Sequence, residues 1–204
     1  MISVVEIDSS FRNKSVAEII DPPSIIRVNK FDAAAVESFS KGIAAGHQTK
    51  QPVIPVVIDT YGGEVYGLMA MISYIQQSKK PIATIVEGKA MSAGGILLGM
   101  GTPGYRFVAQ DATLLLHDIF SGGIGKVEEL KTDAKQTDKL NKKIFRLLAK
   151  NCRQDQNFFL KMIHDKSHAD LYLSAKECIK YKLADYIGMP SYRIKANVEF
   201  VFER

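Results

Sequence analysis

The chain has 204 residues, of which 46% are hydrophobic and 24% charged, a size and composition typical of one soluble globular domain. Its formal net charge of +5 comes from 27 basic and 22 acidic residues spread along the whole chain, which argues against a nucleic-acid-binding protein. Two cysteines without C-x-x-C spacing argue against a zinc site, and the lack of a long apolar stretch or a secretory signal indicates a cytoplasmic protein that does not enter a membrane.

Strands and helices are predicted to alternate along the first hundred residues. In chain order we predict a short strand and a connection in residues 1–22, a strand at Ser24–Val28, a helix from Asp32 to about Ala45, a strand at Pro52–Asp59, a helix from the Thr60–Gly63 turn to about Gln77, a strand at Pro81–Glu87 ended by Gly88, and a helix at Ser92–Met100. The β-branched runs are typical of strands buried on both faces. Asp32 is expected to cap its helix, because its side chain can accept from N–H groups of the first turn.

The second half continues this alternation after a turn at Gly101–Gly104. The predicted elements are strands at Tyr105–Val108 and Ala112–His117, a long helix from about Val127 to Asn151, a helix from Asp155 to about Lys166, a helix at Ser174–Tyr181 and a terminal strand at Tyr192–Phe200. Ser174 and Glu177 have the spacing of a capping box. Buried strands that alternate with helices predict an α/β fold, whose chemistry collects in turns at the carboxyl ends of the strands.

Ser92 and His117 stand at positions where such a fold would place reactive groups. The segment Ala90-Met-Ser92-Ala-Gly94 is one residue away from the G-x-S-x-G pattern, in which a serine on a strand-to-helix turn exposes its hydroxyl. Taken alone, Ser92 is more simply a helix N-cap, and His117 a hydrogen-bonded interior residue. As a pair they make serine hydrolysis the first hypothesis.

Two glycine-rich turns bear on this hypothesis. Gly62-Gly63 is by itself a simple β-turn, but it follows the strand before the one that leads to Ser92. If those strands are parallel neighbours, the N–H groups of Gly63 and Ala93 could hold a tetrahedral oxyanion. The segment Gly122–Gly125 is not followed by Lys-Ser/Thr, which argues against a nucleotide site.

A basic stripe exposed to solvent is expected on the long helix, at Lys131, Lys135, Lys139 and Lys143.

The chain resembles the proteolytic subunit of the Clp protease, a self-compartmentalising serine peptidase, over roughly residues 24–188. The resemblance is carried by Thr60-Tyr-Gly-Gly63, Met91-Ser-Ala-Gly94, Leu116-His117, Asp170-Leu-Tyr-Leu-Ser-Ala175 and the tail Tyr181–Gly188. It implies Ser92 as nucleophile, His117 as base and Asp170 as orienting acid, with oxyanion N–H groups at Gly63 and Ala93. The residues alone leave the acid open among Asp118, Asp165, Asp170 and Asp185.

The resemblance also implies a crotonase-like fold of repeated βα turns in a single peptidase domain, residues 1–204. Its parts would be an N-terminal strand and axial segment (1–23), a catalytic core (24–188) with a projecting handle at about 122–151, and a C-terminal strand extension (189–204). The implied substrate is a peptide or unfolded protein, with Gly122, Gly123 and Ile124 as candidate binding residues. No cofactor or metal is implied; the implied partners are copies of the chain in stacked heptameric rings and an AAA+ unfoldase.

The sequence also departs from that family's pattern. Asp118-Ile-Phe120 follows His117 where a Gln-Pro pair is usual, and the interval from His117 to Asp170 is a few residues longer than expected. These departures indicate a divergent member, for which a phage origin is a hypothesis. Two alternatives remain: a catalytically silent ring subunit, and a crotonase-type acyl-CoA enzyme, which would use the same oxyanion turns without needing the three catalytic residues together.

Overall fold

The computed structural model describes residues 3–4, 23–165, 170–191 and 196–197, and the chain divides into two compact units. The smaller unit, residues 1–23 and 190–204, contains the parallel strand pair β1 (Ser3–Val4) and β9 (Ala196–Asn197). Except for residues 3–4 and 196–197, the strand and connection predicted for 1–22 and the terminal strand predicted at 192–200 lie outside the described residues. The larger unit, Ser24–Met189, carries the candidate site.

The larger unit is an α/β structure, as predicted. Its strands are β2 (Ile26–Val28), β3 (Ile54–Thr60), β4 (Ile82–Met91), β5 (Arg106–Val108), β6 (Thr113–Leu116), β7 (Leu171–Ser174) and β8 (Tyr186–Ile187). Its helices are α1 (Ala33–Gln48), α2 (Val65–Gln77), α3 (Ala93–Met100), α4 (Val127–Asn151), α5 (Phe158–His164) and α6 (Ala175–Lys180). None of these described helices is both long and apolar enough to cross a membrane.

The sheet is mostly parallel. Strands β2, β3, β4, β5 and β8 follow one another in that order, and each neighbouring pair is parallel. Strand β6 pairs in parallel with the end of β4, and β7 pairs antiparallel with β6. Strand β4 therefore has two partners on one side, β5 along Thr84–Val86 and β6 along Lys89–Met91.

The prediction that Gly88 ends a strand is wrong. Strand β4 runs on to Met91 because its last three residues find a new partner in β6. The pairing with β3 shifts at this point, since Ile58 lies opposite Val86 whereas Thr60 lies opposite Ala90. Such an irregularity bends a strand locally, and glycine within a strand often marks one.

The core lies between the sheet and helices α1 to α3, and it extends to buried residues of α4, α5 and α6. The strand residues Ile54, Ile58 and Ile82 are fully buried, and every residue of α3 is buried. Helix α3 packs very closely on β3, because a Cβ added at Gly94 would lie 2.4 Å from the Thr60 methyl group. The glycine therefore allows α3, and the turn that starts it, to lie directly on the sheet.

Most predicted helix ends agree with the structure. Asp32 accepts a hydrogen bond from the Ala35 N–H at 2.8 Å, and Ser174 and Glu177 form the expected capping box. The start predicted at Asp155 is wrong, because Asn157 is the N-cap of α5 and the Asp155 carboxylate instead accepts from the Asn157 N–H at 3.0 Å. That bond makes a turn before the helix. The sequence does not predict strands β7 and β8, because each is too short to show an alternating pattern.

A buried ion pair joins β5 to the segment before β8. Arg106 donates from Nε and Nη2 to the Asp185 carboxylate at 2.9 and 2.6 Å, and only 4% of its side chain is exposed. Burial alone would raise the pKa of Asp185, but the hydrogen bonds and charge of Arg106 hold it below its ordinary value. Cys152 and Cys178 are also buried, and burial raises the pKa of each thiol to about 12.

Candidate active site

Ser92 occupies a strained turn between β4 and α3. Its φ of 55° and ψ of −118° lie where non-glycine residues are rarely found, and such strain concentrates at functional sites. Ser92 holds the N-cap position, but its side chain makes no capping hydrogen bond. The interpretation of this serine as an ordinary side-chain cap is therefore wrong. Its hydroxyl makes no hydrogen bond to any residue that the structure describes.

The backbone around Ser92 is fixed by its neighbours. Its N–H donates to the Leu115 carbonyl of β6 at 2.8 Å, and its carbonyl accepts from the N–H groups of Gly95 and Ile96. The turn after β3 lies against it, because a Cβ built on Gly62 would be 2.8 Å from the Ser92 Cβ. The expectation that the two turns lie together on parallel neighbouring strands is thus met.

His117 directly follows β6 and is half-buried. Its Nδ1 is hydrogen-bonded to the carbonyl oxygen of Asp118. A carbonyl can only accept, so this bond requires the proton on Nδ1 and, in a neutral imidazole, leaves Nε2 with a free lone pair. That nitrogen is the one that could act as a base.

One row of buried residues crosses four strands just before the site. Thr60 lies opposite Ala90, Ala90 opposite Leu114, and Leu114 opposite Leu173. Two residues beyond Thr60 and Ala90 come Gly62 and Ser92, and three residues beyond Leu114 comes His117. Because β7 runs the other way, Asp170 stands three residues before Leu173. The candidate residues on these strands therefore lie on the same side of the row, at one edge of the sheet.

Asp170 is exposed and lies opposite His117 when the β6–β7 register is extended by one residue. No hydrogen bond between described residues joins Asp170 to His117, or His117 to Ser92. Among the alternatives, Asp185 is bonded to Arg106 and the Asp118 carboxylate accepts from Asn141. The structure thus brings the backbones of the three proposed catalytic residues together without a hydrogen-bonded triad.

The two candidate oxyanion donors belong to the two turns that meet at Ser92. Gly63 has φ +155° and follows Gly62, and Ala93 begins α3 immediately after Ser92. Within the described part of the chain, no hydrogen bond takes up the N–H of Gly63 or that of Ala93. First-turn N–H groups of a helix commonly lack a partner, and such a helix end favours negative charge.

A cleft of about 680 Å³ opens next to the segment that follows His117 in the chain. Its walls are the start of α2, the segment 118–123 and the inner face of α4. Gly122 and Gly123 line this cleft, whereas Ile124, the third predicted binding residue, is fully exposed and does not line it. The exposed Phe120 and the exposed Tyr66 add apolar surface at its edge.

The lysine side chains predicted to form a basic stripe on α4 are exposed to solvent. The four lysines of the predicted stripe on α4 are exposed, and Lys131 pairs with Glu128 at 2.8 Å, so the interpretation as a solvated face is confirmed. In the part of the chain that the structure describes, no group of three or more His, Cys, Asp or Glu side chains could hold a metal ion.

Sequence reasoning missed the contribution of Asn141. This residue lies in the middle of α4, and its side chain contacts both Asp118 and Ile119. Only a weak signal points to it, since asparagine is a poor helix former and is less common inside helices than at their ends.

Comparison with known proteins shows the family to which the chain belongs. The family model described as Clp protease matches residues 14–191. The chain is 30% identical over 140 residues to a protein named "ATP-dependent Clp protease proteolytic subunit" from Deinococcus radiodurans, an alignment that covers 69% of this chain and 67% of the relative. The family match spans both turns, Ser92 and His117. The chain belongs to the Clp protease family.

Proposed function

We propose that the chain is a serine endopeptidase that cleaves peptides or unfolded proteins through an acyl-enzyme. The observation that carries the proposal is Ser92 itself. Its hydroxyl has no hydrogen-bond partner among the described residues, it sits on a strained turn at a helix N-terminus, and its backbone is bonded to the strand that leads to His117. Membership of a protease family supports the same reaction class.

Ser92 is the proposed nucleophile and His117 the proposed base. Ser92 Oγ attacks the peptide carbonyl carbon while Nε2 of His117 takes the hydroxyl proton. As the C–N bond breaks, the same nitrogen returns the proton to the leaving amine. Water then attacks the acyl ester, giving a proton to His117 that passes to Ser92 Oγ when the C–O bond breaks.

Asp170 is the proposed orienting acid. It would approach the imidazole from β7, opposite His117, and stabilise the imidazolium that forms during the reaction while remaining ionised. This role needs a side-chain rearrangement, since its carboxylate and the imidazole are not hydrogen-bonded to one another.

The N–H groups of Gly63 and Ala93 are the proposed oxyanion donors. Both lack intramolecular partners among the described residues and belong to the turns that meet at Ser92, where negative charge would develop on the carbonyl oxygen. Removal of one such donor typically costs roughly 10²–10³ in rate. Gly122 and Gly123 would bind the substrate backbone in the cleft that they line.

The assembly proposed for the chain follows from its family. Residues 24–188 would form the catalytic core of a single peptidase domain with a crotonase-like fold, and α4 its projecting handle. Rings of the chain, stacked as heptamers, would enclose a chamber in the cytoplasm, and an AAA+ unfoldase would deliver substrates. The name of the Deinococcus radiodurans relative, an ATP-dependent proteolytic subunit, supports a separate ATP-consuming partner.

A second candidate is a catalytically silent ring subunit. It is favoured by one observation, the absence of hydrogen bonds that link Ser92, His117 and Asp170 in the described residues. In that case the chain would build the ring and leave cleavage to an active homologue.

Labelling with a fluorophosphonate separates the two candidates. The protein is incubated with the reagent, and Ser92→Ala is the matched control. A serine peptidase gives an adduct on Ser92 and cleaves an unfolded protein, and Ser92→Ala does neither. If assembled protein shows neither an adduct nor cleavage, the peptidase proposal is wrong and the silent subunit is supported.

A further inference from the structure

The Asn141 side chain makes hydrogen bonds to both of the residues that follow His117, Asp118 and Ile119. Its Nδ2 donates to the Asp118 carboxylate at 2.5 Å, and its Oδ1 accepts from the N–H of Ile119 at 3.1 Å. The side chain reaches from the middle of α4 to the segment that leaves β6, and both residues are half-buried with it. We call this pair of hydrogen bonds the Asn141 clamp.

The clamp acts on one particular peptide unit. The Ile119 N–H and the Asp118 carbonyl belong to the same planar peptide group, in which the two bonds point in opposite directions. Fixing the N–H toward Asn141 therefore turns the carbonyl away from α4. That carbonyl is the group that accepts from Nδ1 of His117.

The orientation of this carbonyl decides which imidazole nitrogen carries the proton. With the carbonyl held against the ring, the proton stays on Nδ1 and Nε2 keeps its lone pair. If the peptide turned over, its N–H would face the ring, and Nδ1 would have to accept. The neutral ring would then carry its proton on Nε2, and could not take one from a serine hydroxyl.

We propose that Asn141 is a positioning residue for His117, acting through the Asp118–Ile119 peptide to hold the imidazole in the tautomer with a basic Nε2. This inference rests on the proposed function, in which His117 takes the proton of Ser92. Asn141 itself touches no reacting atom. In the free protein the Asp118 carbonyl accepts from Nδ1–H of His117, so Asn141 sets the tautomer at that stage. Asp170 would replace this carbonyl on Nδ1–H when the imidazolium forms, which is the rearrangement its proposed role needs.

The clamp also joins separate parts of the structure. The Asp118 carboxylate lies 4.0 Å from Nε2 of His164 on α5, so it meets side chains from two helices. A movement of α4 relative to β6 would break the Asn141 bonds and release the Asp118 carbonyl. The state of the catalytic imidazole is thereby coupled to the position of the long helix.

The test compares two identical substitutions on the same helix. Asn141→Leu removes the clamp, whereas Asn151→Leu removes two hydrogen bonds of similar kind at the far end of α4, from Nδ2 to the Gly99 and Gly101 carbonyls at 2.7 and 2.8 Å. Both variants are expected to lose stability, but only the first should change His117. The double variant Asp118→Asn/Asn141→Asp exchanges donor and acceptor, so it should restore the clamp that Asn141→Asp alone disrupts.

The readout is the tautomer of His117, measured by ¹⁵N NMR on histidine-labelled protein, with the signal assigned by His117→Gln. Wild type and Asn151→Leu should show the proton on Nδ1, and Asn141→Leu should show a mixture or the other tautomer. The rate of fluorophosphonate labelling should fall roughly 10- to 100-fold with Asn141→Leu, as for the outer partners that orient metal-binding histidines. The double variant should recover most of the loss.

A failure of the Asn141 proposal can be distinguished from a failure of the peptidase proposal. An unchanged His117 tautomer in folded Asn141→Leu, or equal labelling rates in the two leucine variants, would overturn the positioning role. If Asn141→Leu does not fold, the comparison of Asn141→Asp with the double variant decides: a failure of the second substitution to restore the tautomer rejects the proposal. If wild type is never labelled, the peptidase proposal fails while the tautomer measurement still decides the role of Asn141.

Discussion

Gly62 and Ser92 are in direct contact across the ends of two neighbouring strands. A Cβ added at Gly62 would lie 2.8 Å from the Ser92 Cβ and 3.3 Å from its Oγ, and the φ of Gly62 is +107°. The short distances mean that a side chain would displace the serine, and the positive φ means that it would also strain the backbone. The glycine thus keeps space for the hydroxyl and for whatever group approaches it.

Gly62→Ala is expected to lower fluorophosphonate labelling of Ser92 by roughly 10²-fold, because a displacement of about 1 Å at a reacting group can have an effect of this size. The measurement is the second-order labelling rate of the folded variant. Gly104→Ala is the matched control, since Gly104 has φ +89° with no atom within 4 Å of an added Cβ. The control should cost about 1 kcal/mol in stability from backbone strain and leave labelling unchanged. Similar labelling rates in the two variants would contradict the steric argument.

The strain at Ser92 predicts that glycine stabilises this position. Its φ of 55° and ψ of −118° favour glycine, so Ser92→Gly should be more stable than Ser92→Ala by about 1 kcal/mol, after allowance for the greater freedom of glycine in the unfolded chain. Both variants lack the hydroxyl, so the difference isolates the backbone. Chemical denaturation of the two proteins measures it. An alanine variant as stable as the glycine variant would mean that the turn is not strained.

The Arg106–Asp185 pair predicts a dependence of stability on pH. Asp185→Asn should lower the free energy of unfolding by about 3 kcal/mol at neutral pH, because it leaves a buried guanidinium without its counter-charge. The pKa of Asp185 is lowered in the folded protein, so its contribution is complete above the ordinary pKa of an aspartate, about 4, and is lost as the pH falls through the lowered value.

Urea denaturation at neutral and acidic pH tests this. Wild type and Asp185→Asn should differ most at neutral pH and converge in acid. Glu37→Gln is the control, since its pair with Lys41 is exposed and should contribute less than about 1 kcal/mol. A constant difference between wild type and Asp185→Asn at all pH values would be inconsistent with the pair as described.

The two cysteines are predicted to be unreactive while the protein is folded. Both thiols are buried and have a pKa of about 12, so very little reactive thiolate is present near neutral pH. A chromogenic thiol reagent should react only as fast as the protein opens, and the rate should rise with added denaturant. Rapid reaction of one thiol per chain in native buffer would show that at least one of these sites opens readily.

Much of the fold could be predicted because it depends on local patterns. The β-branched runs of β3 and β4, the Asp32 cap and the helical period of α4 each act over a few neighbouring residues. Gly88 misled the prediction because its effect depends on a partner strand that arrives some twenty-five residues later. The short strands β7 and β8 likewise exist because of their partners in the sheet, and their own residues do not reveal them.

The residues of the candidate site also differ in how well the sequence predicts them. Ser92 and Gly63 stand out in the sequence, because a glycine-rich turn directly after an apolar strand is typical of a place where backbone approaches a ligand closely. His117 could be chosen by its context, but the hydrogen bond from its Nδ1 to the next carbonyl could not. Asn141 is twenty-four residues further along the chain, and no pattern links the two. Asp170 is selected through resemblance to a family, and its partner in the folded protein is still a prediction.

The row formed by Thr60, Ala90, Leu114 and Leu173 has a consequence for which parts of this chain can change in length. Insertion of a single residue between the row and any site residue would move that residue up to about 3.3 Å further from the row, while the other site residues stay in place. Those four short intervals are therefore fixed in length, whatever side chains they carry. Surface connections such as 101–104 lie outside them, so relatives of this chain can gain or lose residues there and still align the same reacting atoms.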